Sequence, residues 1–103
     1  MRTFAGISEE FAKFDTASVI LQGISYDGTS TWGKGADMGF EAFLDAAENM
    51  ELYDIETDSE VYRKGIFLAD TLDKFKSPEE MFHKVYQNSK ELIDTGKFLS
   101  FIG

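Results

Sequence analysis

Between Gly28 and Lys34 the chain reads Gly-Thr-Ser-Thr-Trp-Gly-Lys, which fills the first seven positions of the phosphate-binding pattern GxxxxGK[ST]. In that pattern backbone N–H groups cradle phosphate oxygens, the lysine adds positive charge, and a hydroxyl at the eighth position holds magnesium. Gly35 stands at the eighth position, so that hydroxyl is missing. The only apolar run ending in an aspartate that could hold magnesium from the other side is Ala69-Asp70. Glycine-rich turns between a strand and a helix also arise for geometric reasons alone. A phosphate-binding α/β module is therefore the weakest of the readings considered below.

Other residues capable of chemistry are few. With no cysteine there is no disulfide framework, thiolate zinc site or cysteine nucleophile. The single histidine, His83, falls inside a helical pattern beside Phe82, with no His or Asp at ligand spacing, and reads as a helix-surface or partly buried residue before a metal ligand. Asp70 and Asp73 form an Asp-x-x-Asp pair at the end of an apolar run, where they either bind a cation or serve as turn and cap residues. Asp27-Gly28 suits a tight turn, with the Thr29 hydroxyl able to satisfy backbone groups inside it. Trp32 either lines a pocket or contact, or packs onto the domain.

These residues sit at the junctions of a legible series of elements. Val19, Ile20 and Leu21 within Ser18–Ile24 form a continuous apolar run, as in a strand buried on both faces. Phe40, Phe43, Leu44, Ala47 and Met50 recur at steps of three and four, predicting a core-facing helix over Asp37–Asn49. Leu52–Thr57 reads as a short extended piece, and Gly65–Ala69 as a second strand through Ile66, Phe67 and Leu68. Ser77 as cap, Pro78 at the first position and Glu80 three residues after the cap open a second helix, which carries Met81, Phe82, Val85, Tyr86, Leu92 and Ile93 toward Thr95 and stops at Gly96. Lys97–Ile102 returns as a strand. Alternating strands and helices predict α/β architecture: a parallel sheet flanked by helices in three layers, with right-handed crossovers. Residues 1–103 make one segment with no repeat or linker. Ending directly after an apolar strand leaves an open edge, so the chain is expected to be the amino-terminal part of something longer, marginal alone because a piece this size buries only about 60–65% of its unfolded surface.

Composition narrows the partners. A formal net charge of −9 excludes a phosphate-backbone partner, since nucleic-acid binding needs a basic face; it suits cationic small molecules and equally suits solubility. Apolar residues are dispersed well short of the roughly 18 needed to span a bilayer, and Met1–Ala12 lacks signal-peptide regions, so no membrane association and a cytoplasmic location are expected. Ten phenylalanines and 43% hydrophobic residues predict an ordered core.

Taken together, Tyr26-Asp27-Gly28-Thr29-Ser30-Thr31-Trp32, then Gly33-Lys34-Gly35-Ala36 and Gly39, Glu41-Ala42, and Met50-Glu51-Leu52-Tyr53-Asp54-Ile55-Glu56-Thr57 resemble the amino-terminal region of the agmatinase branch of the arginase/agmatinase (ureohydrolase) superfamily. The resemblance spans nearly the whole chain but about the first third of a family member. Gly39-Phe40 departs from the family's usual Gly-Pro at the first helix. The resemblance implies an arginase-like three-layer fold and a manganese pair that generates the hydroxide attacking a guanidinium carbon. It also implies a guanidino substrate, agmatine before guanidinobutyrate, and assembly into trimers or hexamers. The family's metal motifs, Gly-Gly-(Glu/Asp)-His-Ser, Asp-x-His-x-Asp and Asp-x-Asp, do not occur here, so no residue present is assigned a catalytic or metal-ligating role and the stretch is expected to be inert alone. Because the family's first loop lies near the rim of the metal cleft, Tyr26, Asp27 and Thr29 are the candidate substrate-rim residues. Alternatives are a truncated, noncatalytic homologue acting through protein–protein contact, and the phosphate-binding module.

Overall fold

A computed structural model describes residues 2–29 and 32–103. Ser30 and Thr31, two hydroxyls of the loop discussed above, and Met1 lie outside the described residues.

Three parallel strands, β1 (Val19–Gly23), β2 (Ile66–Leu68) and β3 (Phe98–Ile102), form one sheet in the order β2-β1-β3. Two helices connect them in sequence, α1 (Gly39–Ala47) and α2 (Pro78–Ile93). The register pairs Val19 with Ile66 and Phe98, and Leu21 with Leu68 and Ser100. Paired residues of parallel strands point to the same face, so one face of the sheet carries Val19, Leu21, Gly23, Ile66, Leu68 and Ile102, and the other carries Ile20, Gln22, Phe67, Leu99 and Phe101.

Helix α1 covers the first face. Leu21, Phe40 and Leu44 form the core cluster, with Phe4, Phe43, Ile66, Leu68 and Ile102 packed around it. Phe4 and Phe40 each stack against Phe43, at 5.9 and 6.3 Å between ring centroids. Phe40 lies so close to β1 that a Cβ on Gly23 would come within 2.1 Å of its ring, which makes glycine a requirement of this packing. Helix α2 covers the second face, where the Asn88 side chain reaches Gln22 on β1. The arrangement is the expected three-layer parallel sheet, α1 and α2 lying on opposite faces.

Local chemistry explains the boundaries. Ser77 Oγ accepts the Glu80 N–H at 3.1 Å and Pro78 opens α2. The Glu80 carboxylate accepts from Lys76 N instead of closing back onto the cap residue itself, so the capping box is displaced by one residue. Gly96, at φ +80°, follows the end of α2 in the conformation that favours glycine. Helix α1 begins two residues later than the periodicity predicts, because Ala36–Met38 form a 3-10 turn. Leu52–Thr57 is a turn instead of an extended piece: Asp54 and Ser59 bridge antiparallel, and the Asp54 carboxylate accepts from Glu56 N and Thr57 Oγ1 at 3.0 and 2.9 Å. An Asp bonding to its own backbone two residues on is an Asx-type turn, which outcompetes extension here. The amino-terminal stretch adds two 3-10 turns, Phe4–Gly6 and Glu9–Phe11. Arg2 ties it to α1 through Glu41, Asp45 and Glu48 at 3.0, 2.7 and 3.4 Å.

Candidate functional site at the carboxyl ends of the strands

The carboxyl ends of the three strands lie at one end of the sheet, where β1 and β2 deliver their loops. Beyond β1, Ile24 N donates to Ile102 O at 2.9 Å and Ser25 N to Leu72 O at 2.9 Å, while Leu72 N returns to Gly23 O at 3.0 Å. Ala69 N donates to Leu21 O at 3.0 Å. Two residues, Asp70 and Thr71, therefore bow out between the Ala69 and Leu72 attachments. At β3, Gly103 O lies 3.4 Å from where a side chain on Gly39 would begin, so the strand's end meets the start of α1.

Gln22 locks this end together. It is 1% exposed, the one buried amide on the central strand. Its Nε2 donates to Gly23 O at 2.9 Å and Asp70 O at 2.7 Å, and its Oε1 accepts from Asn88 Nδ2 at 2.9 Å. Both donors and the acceptor are engaged, so the group is buried without an orphaned polar atom. β1, the loop after β2 and α2 are thereby pinned to one point. Sequence reasoning passed over Gln22; the available signal was a polar residue directly after the apolar run Val19-Ile20-Leu21.

Tyr26, Asp27 and Thr29 occupy the loop that continues β1, alongside the segment after β2. The half-buried Tyr26 ring packs edge-on against Phe75 at 5.7 Å. Asp27 Oδ2 accepts from Gly35 N at 2.5 Å and Ala36 N at 3.2 Å, and Lys34 Nζ donates to Asp27 O at 3.3 Å. Asp27 thus engages the Gly35 and Ala36 amides through its carboxylate and the Lys34 ammonium through its carbonyl, groups that a phosphate would compete for. This geometry speaks against the phosphate-binding reading. Thr29 is exposed, and Trp32 is fully exposed instead of packed on the domain.

Two clefts flank this end. An open groove of about 800 Å³ runs between Leu72, Lys76 and one flank of α2 that includes His83, Lys84 and Asn88, so His83 stands exposed on the helix surface within it. A smaller cleft of about 340 Å³ lies beside β2, between Phe40, Leu44, Ala69, Asp70 and Thr71. Asp70 and Asp73 are both exposed on the bowed segment, with Leu72 between them bonded to β1. Among the described residues no group of three or more His, Cys, Asp or Glu is gathered as a metal site. Also among the described residues, no helix is long and apolar enough to cross a membrane.

Two carboxyls with shifted ionisations are Glu80, on the groove flank of α2, and Asp54, in the turn between α1 and β2. The Glu80 carboxyl is held below its ordinary value by its bond to Lys84, with Lys76 N adding to the effect. Asp54 is lowered by Thr57 Oγ1 and the Glu56 amide.

Comparison with known proteins returns one informative relationship. The N(1)-aminopropylagmatine ureohydrolase of Synechocystis sp. is 31% identical over 102 residues, covering 93% of this chain and 33% of that protein. The chain thus spans about a third of the length of the curated relative it matches. No family model matches, and no solved structure matches. Across nearly its whole length, the chain is related to a ureohydrolase of the arginase/agmatinase superfamily, with the α/β sheet and helices expected of a fragment of that fold.

Proposed function

We propose that this chain is part of a ureohydrolase that hydrolyses a guanidino amine in the cytoplasm, with agmatine giving putrescine and urea as the preferred reaction. The observation that carries this reading is the match to a ureohydrolase over 93% of the chain. Agmatine and the aminopropylagmatine named for the relative share the guanidinium group and an amine, and the net charge of −9 favours a cationic substrate. In the reaction, a water oxygen bonds to the guanidinium carbon, the C–N bond to the alkyl side breaks, and both water protons end on the leaving nitrogen, giving urea and an alkylammonium.

Within this chain, Tyr26, Asp27 and Thr29 stand at the substrate rim. Asp27 fixes the loop through Gly35 and Ala36, Tyr26 is steadied by Phe75, and Thr29 presents a hydroxyl to solvent. The manganese pair that the resemblance implies is held by residues other than these, and the 103 residues alone are inert. The complete enzyme is a trimer or hexamer in this reading.

The test is urea release by the longest polypeptide encoded with this stretch, supplied with Mn2+ and, in turn, agmatine, N(1)-aminopropylagmatine and guanidinobutyrate. Urea from agmatine, lost on chelation, is the expected result. Urea from none of the three overturns the reading, and a strong preference for another substrate revises it. Thr29→Ala in that polypeptide raises KM with little change in kcat if the rim assignment holds.

A further inference from the structure

The segment between β2 and α2 supports Tyr26 in two ways. Ser25 N, directly before Tyr26, donates to Leu72 O, and Leu72 N in turn donates to Gly23 O. Three residues after Leu72, Phe75 meets the Tyr26 ring edge-on at 5.7 Å. The backbone leading into Tyr26 and its ring both rest on residues 72–75, so whatever holds that segment sets where Tyr26 stands.

Helix α2 grips the segment at both ends. At the later end, the Lys84 ammonium donates to Lys74 O at 3.0 Å and lies over the Phe75 ring, 5.9 Å from its centroid. The Glu80 carboxylate, one turn earlier on the helix, takes another of its hydrogens at 3.1 Å. At the earlier end, Asn88 Nδ2 donates to Gln22 Oε1, and Gln22 Nε2 donates to Asp70 O at 2.7 Å. Lys84 and Asn88 are four residues apart, so they project from one side of α2 about 6 Å apart along its axis, and both line the groove that faces Leu72. One helix flank thus holds the segment at Asp70 and at Lys74–Phe75, with Leu72 between the two grips bonded to β1.

We propose that Lys84 and Asn88 are positioning residues for the substrate rim: neither touches substrate, and each acts through the segment after β2 on the placement of Tyr26. The proposal rests on the ureohydrolase reading and names what sets the rim which that reading assigns. Lys84 is the stronger of the two, because a single ring separates its ammonium from Tyr26, whereas Asn88 works through Gln22 and Asp70. Its charge and its brace pull in opposite directions. Removing a cation from a chain of net charge −9 strengthens the attraction for a cationic substrate, so electrostatics alone lowers KM in Lys84→Met, while loss of the brace raises it.

The test uses the longest polypeptide encoded with this stretch, supplied with Mn2+, and reads KM and kcat for agmatine alongside residue-resolved amide exchange. Lys84→Met is expected to raise KM about three- to tenfold with kcat held within about twofold. It also speeds exchange at Ser25, whose amide is bonded to Leu72 O, and leaves Leu44 in α1 unchanged. Lys84→Arg keeps a cation for the carbonyl and the ring and restores both readouts. Phe75→Leu, which removes the ring between the two, reproduces the rise in KM, and Asn88→Ala raises it by a smaller factor. In a Tyr26→Leu background Lys84→Met adds little, because its route to the rim is already cut. Lys90→Met removes the same charge from another flank of α2 and does not raise KM. An unchanged or lowered KM in Lys84→Met overturns the proposal, as does a rise of the same size in the Tyr26→Leu background. If no guanidino compound yields urea, the functional reading fails and amide exchange still decides the brace: faster Ser25 exchange in Lys84→Met, reversed in Lys84→Arg, upholds it, and an unchanged Ser25 rate overturns it.

Discussion

Helices α1 and α2 both carry apolar residues at steps of three and four, yet they meet different fates. Helix α1 buries Phe40, Leu44 and Ala47 against β1 and the amino-terminal turns. Helix α2, nearly twice as long, buries no residue fully and leaves Phe82, Tyr86 and Ile93 in solvent. The same contrast separates the strands: β1 is buried along four of its five residues, whereas β3 is open at both Phe98 and Phe101. Apolar periodicity states that a helix has something to cover. Whether the chain supplies it depends on which strand lies beneath, and only the central strand has neighbours on both sides.

The sharpest way to break this contrast is to truncate one aromatic on each helix. Phe40→Ala, at a site 1% exposed, is expected to cost about 3–5 kcal/mol, enough to unfold a small domain, whereas Phe82→Ala, at a site 69% exposed, changes stability by less than about 0.5 kcal/mol. Urea denaturation of the two variants measures both. Equal losses would mean that α2 packs as deeply as α1.

Next in size is the link between the halves. Gln22→Met leaves Asp70 O and Asn88 Nδ2 without their partner and is expected to cost about 1–3 kcal/mol, with amide exchange rising in the Asp70–Leu72 segment and in α2 before it rises in α1. Uniform loosening would deny Gln22 its role as the pin.

Ser77→Ala removes the acceptor of the Glu80 amide and should cost about 1 kcal/mol, read as fraying of the first turn of α2. The effect should be larger there than for an alanine substitution on α2's solvent flank.

The smallest effect is electrostatic. Glu80 is lowered from 4.5 by its bond to Lys84, a folded-state depression, so its stabilisation is present above 4.5 and is lost as pH falls through the lowered folded value. Lys84→Met should return the Glu80 titration, followed by carboxyl NMR, toward 4.5 and flatten the acid limb of the stability curve.

Legibility in the sequence followed the range of the interactions involved. Ser77, Pro78 and Glu80 announced α2 because a cap acts within one turn, and the apolar runs at Val19–Leu21 and Ile66–Leu68 announced β1 and β2 because they need only burial. The start of α1 was misjudged because the preceding 3-10 turn is held by Asp27, eight and nine residues earlier in the chain. The Asp54 turn was written locally in Asp54 and Thr57 but was hidden by apolar neighbours that suggested extension. At the strand ends, the loop of Tyr26, Asp27 and Thr29 was recognisable as a string, while its closure by Asp27 was not.

By itself, then, the sequence determined an α/β alternation, the helix caps and a ureohydrolase relationship, since propensity, capping and residue order are properties of neighbours along the chain. Only the tertiary structure decided that β1 is central, that Gln22 joins three elements across 48 and 66 residues of separation, and that Phe82, Tyr86 and Ile93 of α2 stay exposed. Those outcomes depend on which strands lie side by side, and strand order is fixed by packing across the sheet, which local spacing does not encode.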